Sequence, residues 1–215
     1  MKSILTKKLG EGNKQYENNE RHKWVMSPNL PGQVIATVAQ IRWTEQTENA
    51  INEQVNDVQS LENHCAVQNQ QIVELAKLVA DPNLASLSRH ILVALITVDV
   101  HARDIVDDLK NAQVQSTDDF MWKKQLRYYI EGQDSADCVI RQVQATLQYG
   151  FEYMGATSRL VITPLTDRCW ITISMALHIQ RGANPAGPAG TGKTESTKDL
   201  AKAIALFCYV FNCSD

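Results

Sequence analysis

The chain has 215 residues and a formal net charge of −3, from 21 basic and 24 acidic side chains. That balance gives no electrostatic case for nucleic acid or for an anionic membrane surface as a partner. With 44% hydrophobic and 21% charged residues the chain can bury a core; its five cysteines show no C-x-x-C or zinc spacing and read as reduced, and no apolar run is long enough to span a bilayer.

Residues 1–23 are polar and poorly patterned, and are expected to form a loose leader. The apolar run in Met1–Leu9 is too short for a signal peptide. Pro28, Pro31 and Gly32 mark a turn. Val34, Val38, Ile41, Ile51, Val55 and Val58 then recur at helical spacing with Cys65 in phase, and the pattern resumes at Ile72, Leu75, Leu78 and Val79 before stopping at Asp81-Pro82. A second helix is predicted from about Leu84 to Lys110. A third, capped by Ser116 or Thr117, would turn Phe120, Trp122, Leu126 and Tyr129 inward and end near Gly132. From Val139 to Tyr149 the apolar residues alternate, which predicts a strand with one wet face. Leu160-Val161-Ile162 is a short extended piece stopped by Pro164. Thr166 would cap a helix from Asp167 to about Gln180. A last helix from Gly192 to about Phe207 should carry Leu200, Ala203, Ile204 and Phe207 on one face, followed by a core strand over residues 209–213.

Before that last helix stands Gly187-Pro188-Ala189-Gly190-Thr191-Gly192-Lys193-Thr194. It fits G-x-x-x-x-G-K-[ST], the phosphate loop of nucleoside-triphosphate-binding proteins. Glycines let the backbone turn its N–H groups onto a phosphate chain, and the helix that follows adds its positive end. Lys193 would reach the β/γ-phosphates of ATP, and Thr194 would offer its hydroxyl to Mg²⁺. The bland alternative is a Gly-rich turn before a helix.

Other candidates are weaker. His22, His64, His90, His101 and His178 share no metal-ligand spacing and read as structural or exposed. Asp107-Asp108 and Asp118-Asp119 read as solvated helix ends, His101 with Asp104 and Asp107 as an ordinary polar face, and Glu195 as a solvent-facing acid of the first turn. Trp122, Tyr128 and Tyr129 fit core packing better than base stacking, because no basic patch accompanies them.

Several segments together resemble the dynein heavy chain. They are Leu160–Cys169, Gly187–Glu195 and Phe211–Asp215, with Pro31–Val34, Asp99–Asp104, Gln125–Tyr129 and Tyr149–Gly155 upstream. His101-Ala102-Arg103-Asp104 and Asn212-Cys213-Ser214-Asp215 resemble the axonemal type. One departure is Gly182-Ala183-Asn184-Pro185, where that family has Gly-Gly-Ala-Pro. The resemblance implies a mixed α+β chain: an unplaced leader (1–23), the C-terminal part of a helical linker (24–148), and the N-terminal part of the first, hydrolytic AAA+ module (149–215), an incomplete P-loop α/β domain. It also implies that Leu165 and Thr166 lie by the adenine.

The activity implied is that of a motor in which ATP binding and hydrolysis move the linker, giving minus-end-directed motility on microtubules. Other dynein chains would be partners, and the setting would be cytoskeletal, in a ciliary or flagellar axoneme. The acidic group that would complete the metal site belongs to a later strand, so no catalytic set is complete here, and the stretch alone is expected to bind nucleotide weakly and not to turn it over. Two rival readings are a non-catalytic nucleotide-binding or interaction protein and an independent P-loop NTPase.

Overall fold

The computed structural model describes residues 1–131, 137–155 and 157–211. Two helices open the chain, α1 (Lys2–Asn18) and α2 (Arg21–Val25). The expectation of a loose leader is overturned here. Leu5, Leu9 and Gly12 lie on one face of α1 and are buried. The buried Trp24 donates its indole N–H to the Gly12 carbonyl at 3.0 Å and meets Tyr16 edge-on. Arg21 forks onto both oxygens of Asp99, each at 2.8 Å, and reaches Gln71 at 2.7 Å. A few well-spaced apolar residues and one arginine thus dock a segment whose composition is polar.

Next come α3 (Gly32–Glu53), α4 (Ser60–Val79) and α5 (Ser86–Asn111). The helical pattern before Asp81 is therefore two helices, and Val55 and Val58, in phase by spacing, are exposed. Gln54 makes the break. It donates to Val58 O at 2.8 Å and accepts from Leu61 N at 3.1 Å, so one side chain ties both ends of the turn. The helix expected to end near Gly132 is a single turn, α6 (Phe120–Lys123), capped by Asp119, which accepts from Met121 N at 2.7 Å. Gly132 lies outside the described residues. Phe120 is exposed rather than inward.

The chain after α6 extends as β1 (Arg127–Glu131), with Tyr128 N bonded to the buried Thr44 hydroxyl. The expected single strand is a hairpin, β2 (Asp137–Gln142) and β3 (Ala145–Gln148). It turns at Val143, held at φ 53 while its N–H donates to Lys123 O. The sheet is antiparallel in the order β1-β2-β3, with Tyr128 opposite Ile140 and Ile140 opposite Leu147. α3 lies against β1.

Beyond the sheet, α7 (Pro164–His178) is capped by Thr163, not Thr166: Thr163 Oγ1 accepts from Thr166 N at 3.3 Å. α7 packs on β3 and on α8 (Lys193–Ala203). α8 ends before Phe207, because Ala205 turns back at φ 51, and Phe207 is exposed. No strand occurs among the described residues of 149–211, and Tyr209 and Phe211 are exposed where a core strand is expected; Asn212 and Cys213 lie outside the described residues. Even so, the two regions share one core. Leu200, Ala203, Ile204, Ala205 and Trp170 pack in the same cluster as Val38, Tyr128, Ile140 and Tyr149. A second cluster around Trp43, Ile51, Leu61, Leu109 and Trp122 closes the far end of the helices.

Candidate nucleotide site

The loop from Gly187 to Gly192 is exposed and runs straight into α8. Gly190 and Gly192 sit at φ 77 and 78, a conformation that a side chain strains, and neither has a neighbour within 4 Å of a built Cβ. The turn is therefore set by backbone conformation rather than by packing, and its inner surface is open. Lys193 folds over it. Its ammonium donates to Gly187 O at 2.7 Å and to Pro188 O, and lies 3.3 Å from the Thr191 hydroxyl, which itself donates to Pro188 O at 2.9 Å. The lysine is thus already aimed into the ring of the loop. Thr194 and Glu195 are exposed in the first turn of α8, where backbone N–H groups lack helical acceptors. Glu195 pairs with Lys198 at 2.8 Å, and that hydrogen bond holds its carboxyl below the usual range. It is the solvent-facing acid the sequence suggests.

Leu165 and Thr166 occupy the first turn of α7. Leu165 is exposed, and the Thr166 hydroxyl lies 3.0 Å from that of Thr163. α7 reaches α8 through Trp170, whose indole N–H donates to Ser196 O at 3.0 Å. The contact holds the two segments side by side without placing Leu165 or Thr166 on the loop itself.

Behind the loop lies a support that sequence patterning missed. Asp199 is 1% exposed on the core face of α8. It accepts from Arg159 Nε at 3.1 Å and from Leu160 N at 3.4 Å, fixing the segment that leads into α7 to the phosphate-loop helix. The available signal was an acid adjacent to Leu200, on the side of α8 that the apolar residues define.

The remaining candidates take the roles their spacing suggests, with one exception. Asp107 pairs with Lys110 and Asp118 with Lys123. Trp122 is fully buried against Trp43 and donates to Glu48 at 3.1 Å. His101 is the exception: it is half-buried, and burial pushes its pKa down against the opposing charges of Asp167 on α7 and Asp104. Among the described residues no group of three His, Cys, Asp or Glu side chains could hold a metal ion, and no helix is long and apolar enough to cross a membrane.

The family described as "Hydrolytic ATP binding site of dynein motor region" matches residues 149–215, the region that holds the loop, α7 and α8. Similarity to known heavy chains extends across the helical region as well. The chain is 50% identical over 201 residues to human dynein axonemal heavy chain 6, which covers 93% of this chain. The chain belongs to the dynein heavy-chain family. It is 43% identical over 216 residues to the dynein-1-beta heavy chain of the flagellar inner arm I1 complex of Chlamydomonas reinhardtii, and 44% identical over 215 residues to human dynein axonemal heavy chain 1. Both of those alignments cover 100% of this chain, so the similarity includes residues 1–23, which patterning could not place. The chain spans 5% of the length of each of these three relatives. The matched region, which contains the loop, is similar to the hydrolytic ATP-binding region of dynein motors, and the match gives the rival readings no support.

Proposed function

We propose that this stretch of dynein heavy chain is the joint between the first, hydrolytic ATP site and the linker arm, in a motor that moves along microtubules toward their minus ends in a ciliary or flagellar axoneme. The observation that carries this reading is the shared core. The C-terminal end of the phosphate-loop helix is buried with the arm's α3 and sheet, so a displacement of α8 cannot leave the arm untouched. In this reading residues 1–148 belong to the arm and 149–215 to the nucleotide module. The axonemal names of the relatives support this setting, and other dynein chains and the microtubule are the partners proposed with it.

At the site, the open glycine turn and the first-turn N–H groups of α8 would bind the phosphates of ATP. Lys193 would exchange its bonds to Gly187 O and Pro188 O for the β/γ-phosphate oxygens. Thr194, exposed beside it, would hold Mg²⁺, which neutralises charge that develops on the phosphates. Leu165 and Thr166 would approach the adenine once nucleotide draws α7 and the loop together. Hydrolysis needs an acidic partner for the metal and water, and the described residues around the loop offer none that is free: Glu195 is engaged by Lys198 and Asp199 by Arg159.

The test is ATP binding and microtubule-stimulated turnover by the full-length heavy chain with Lys193→Ala. Loss of one charge-assisted contact predicts ATP affinity lower by about 10- to 100-fold. Unchanged affinity and turnover would show that the loop is not the hydrolytic site.

A further inference from the structure

One side chain joins the arm to the segment that α8 grips from its other side. Gln33, in the first turn of α3, is 7% exposed, and both of its amide protons and its amide oxygen are engaged. Its Nε2 donates to Tyr149 Oη at 2.9 Å and to Glu152 O at 2.8 Å, and its Oε1 accepts from Met154 N at 2.8 Å. Thr37, one turn along α3, donates to Gln33 O and lies 2.9 Å from Tyr149 Oη. The Thr37 proton being engaged on Gln33 O, Tyr149 must donate to Thr37, which leaves its own lone pairs for Gln33. Every proton in this buried group therefore has one place to go. The same segment is bonded to the end of the phosphate-loop helix: Gly150 N donates to Ile204 O at 2.9 Å and Glu152 N to Ala205 O at 3.0 Å. Residues 149–154 thus lie between two rows of hydrogen bonds, one to α8 and one to Gln33.

Resting on the motor reading above, we infer that Gln33 is a positioning residue for mechanical output: it clamps segment 149–154 so that movement of the phosphate-loop helix is passed to the arm instead of being absorbed by that segment. Without the clamp, residues 149–154 keep their bonds to α8 but lose those to the arm, and the segment becomes a soft link. Gln33 touches neither the loop nor Lys193, so nucleotide binding and the chemical step do not depend on it.

The test uses the full-length heavy chain with Gln33→Met, which keeps the length and burial of the side chain but none of its hydrogen bonds. Three quantities are read: amide exchange in the peptide covering 149–154, microtubule-stimulated ATP turnover, and microtubule gliding velocity. The expected result is faster exchange in 149–154, turnover within about 2-fold of the parent, and gliding velocity per ATP turned over reduced by between about 2- and 30-fold, the range for substitutions that alter coupling without touching a ligand. Tyr149→Phe, which removes one hydroxyl and leaves the bonds to Glu152 O and Met154 N, should give a smaller change of the same sign, and it serves if Gln33→Met does not fold. Gliding per ATP equal to the parent's in both variants overturns the inference alone. A parent chain that turns over ATP but drives no gliding overturns the motor reading and the inference with it.

Discussion

The arm and the phosphate loop solve opposite problems. In the arm, several buried polar groups find partners within the arm: Arg21 on Asp99, Gln54 on both ends of the turn it closes, Thr44 on Tyr128 N. In the loop, the groups with chemistry lie at the surface, and among the described residues Lys193 and Thr191 bond to the loop's own carbonyls and hydroxyl. Packing is concentrated behind the loop, where Asp199 and Trp170 fix α8, and is sparse at the surface a ligand would meet. The comparison teaches that a binding loop can stand free of the core while the helix it feeds is packed into it.

Four changes would break or sharpen that contrast, ordered by their expected effect on stability. Asp99→Ala strands the buried Arg21 guanidinium and should cost about 3–5 kcal/mol. Native-state hydrogen exchange should show the loss in α1 and α2 with α8 little changed; equal loss in α8 would mean the two regions are not separable. Gly150→Ala would place a methyl 2.3 Å from the Ala205 carbonyl oxygen, a backbone atom that cannot swing aside. The expected cost is about 1–3 kcal/mol. Here protection should fall in both regions, since the contact belongs to both.

Acid gives a third, weaker handle. Burial pushes the His64 pKa from 6.5 down to about 4. A histidine depressed in the folded state takes its proton first in the unfolded chain. Stability is therefore flat above the unfolded value and falls as pH drops through the window between the two, by about 2 kcal/mol on reaching about pH 5. His64→Gln should flatten that part of the curve, and a slope that persists in the variant would assign it elsewhere. Lys193→Ala should change stability least, within about 0.5 kcal/mol, because its bonds are at the surface. A large thermal shift in that variant would mean the loop is part of the core and would end the contrast.

The site was more legible in the sequence than the fold around it. Gly187–Thr194 reads as a phosphate cradle from local sequence alone, since a glycine turn followed by a helix start defines the motif, and the structure has that turn and that helix start. Periodicity found α5 because its apolar stripe is unbroken. It failed where tertiary contacts overrode local pattern. Arg127-Tyr128-Tyr129-Ile130 continues a helical spacing but pairs with β2, because extension lets Tyr128 bury between α3 and α8 and donate to Ala203 O at 3.1 Å. The polar 1–23 segment is docked by Leu5, Leu9, Arg21 and the adjoining Trp24, too few apolar residues to register as a pattern. Gln33 and Asp199 were invisible for a related reason. Each looks like a surface residue until the partner distant in sequence is known: Tyr149 for the one, Arg159 for the other.

Trp170 has a use that follows from where it sits. The other three indoles, Trp24, Trp43 and Trp122, all lie in the arm, whereas Trp170 is 2% exposed and hydrogen-bonded to the backbone of the phosphate-loop helix at Ser196. Within these 215 residues, with the arm tryptophans replaced by phenylalanine, the remaining indole's emission would follow the polarity and hydrogen bonding at the first turns of α8. The chain thereby carries an intrinsic optical gauge of its nucleotide helix, and the spectrum could be followed without any attached dye.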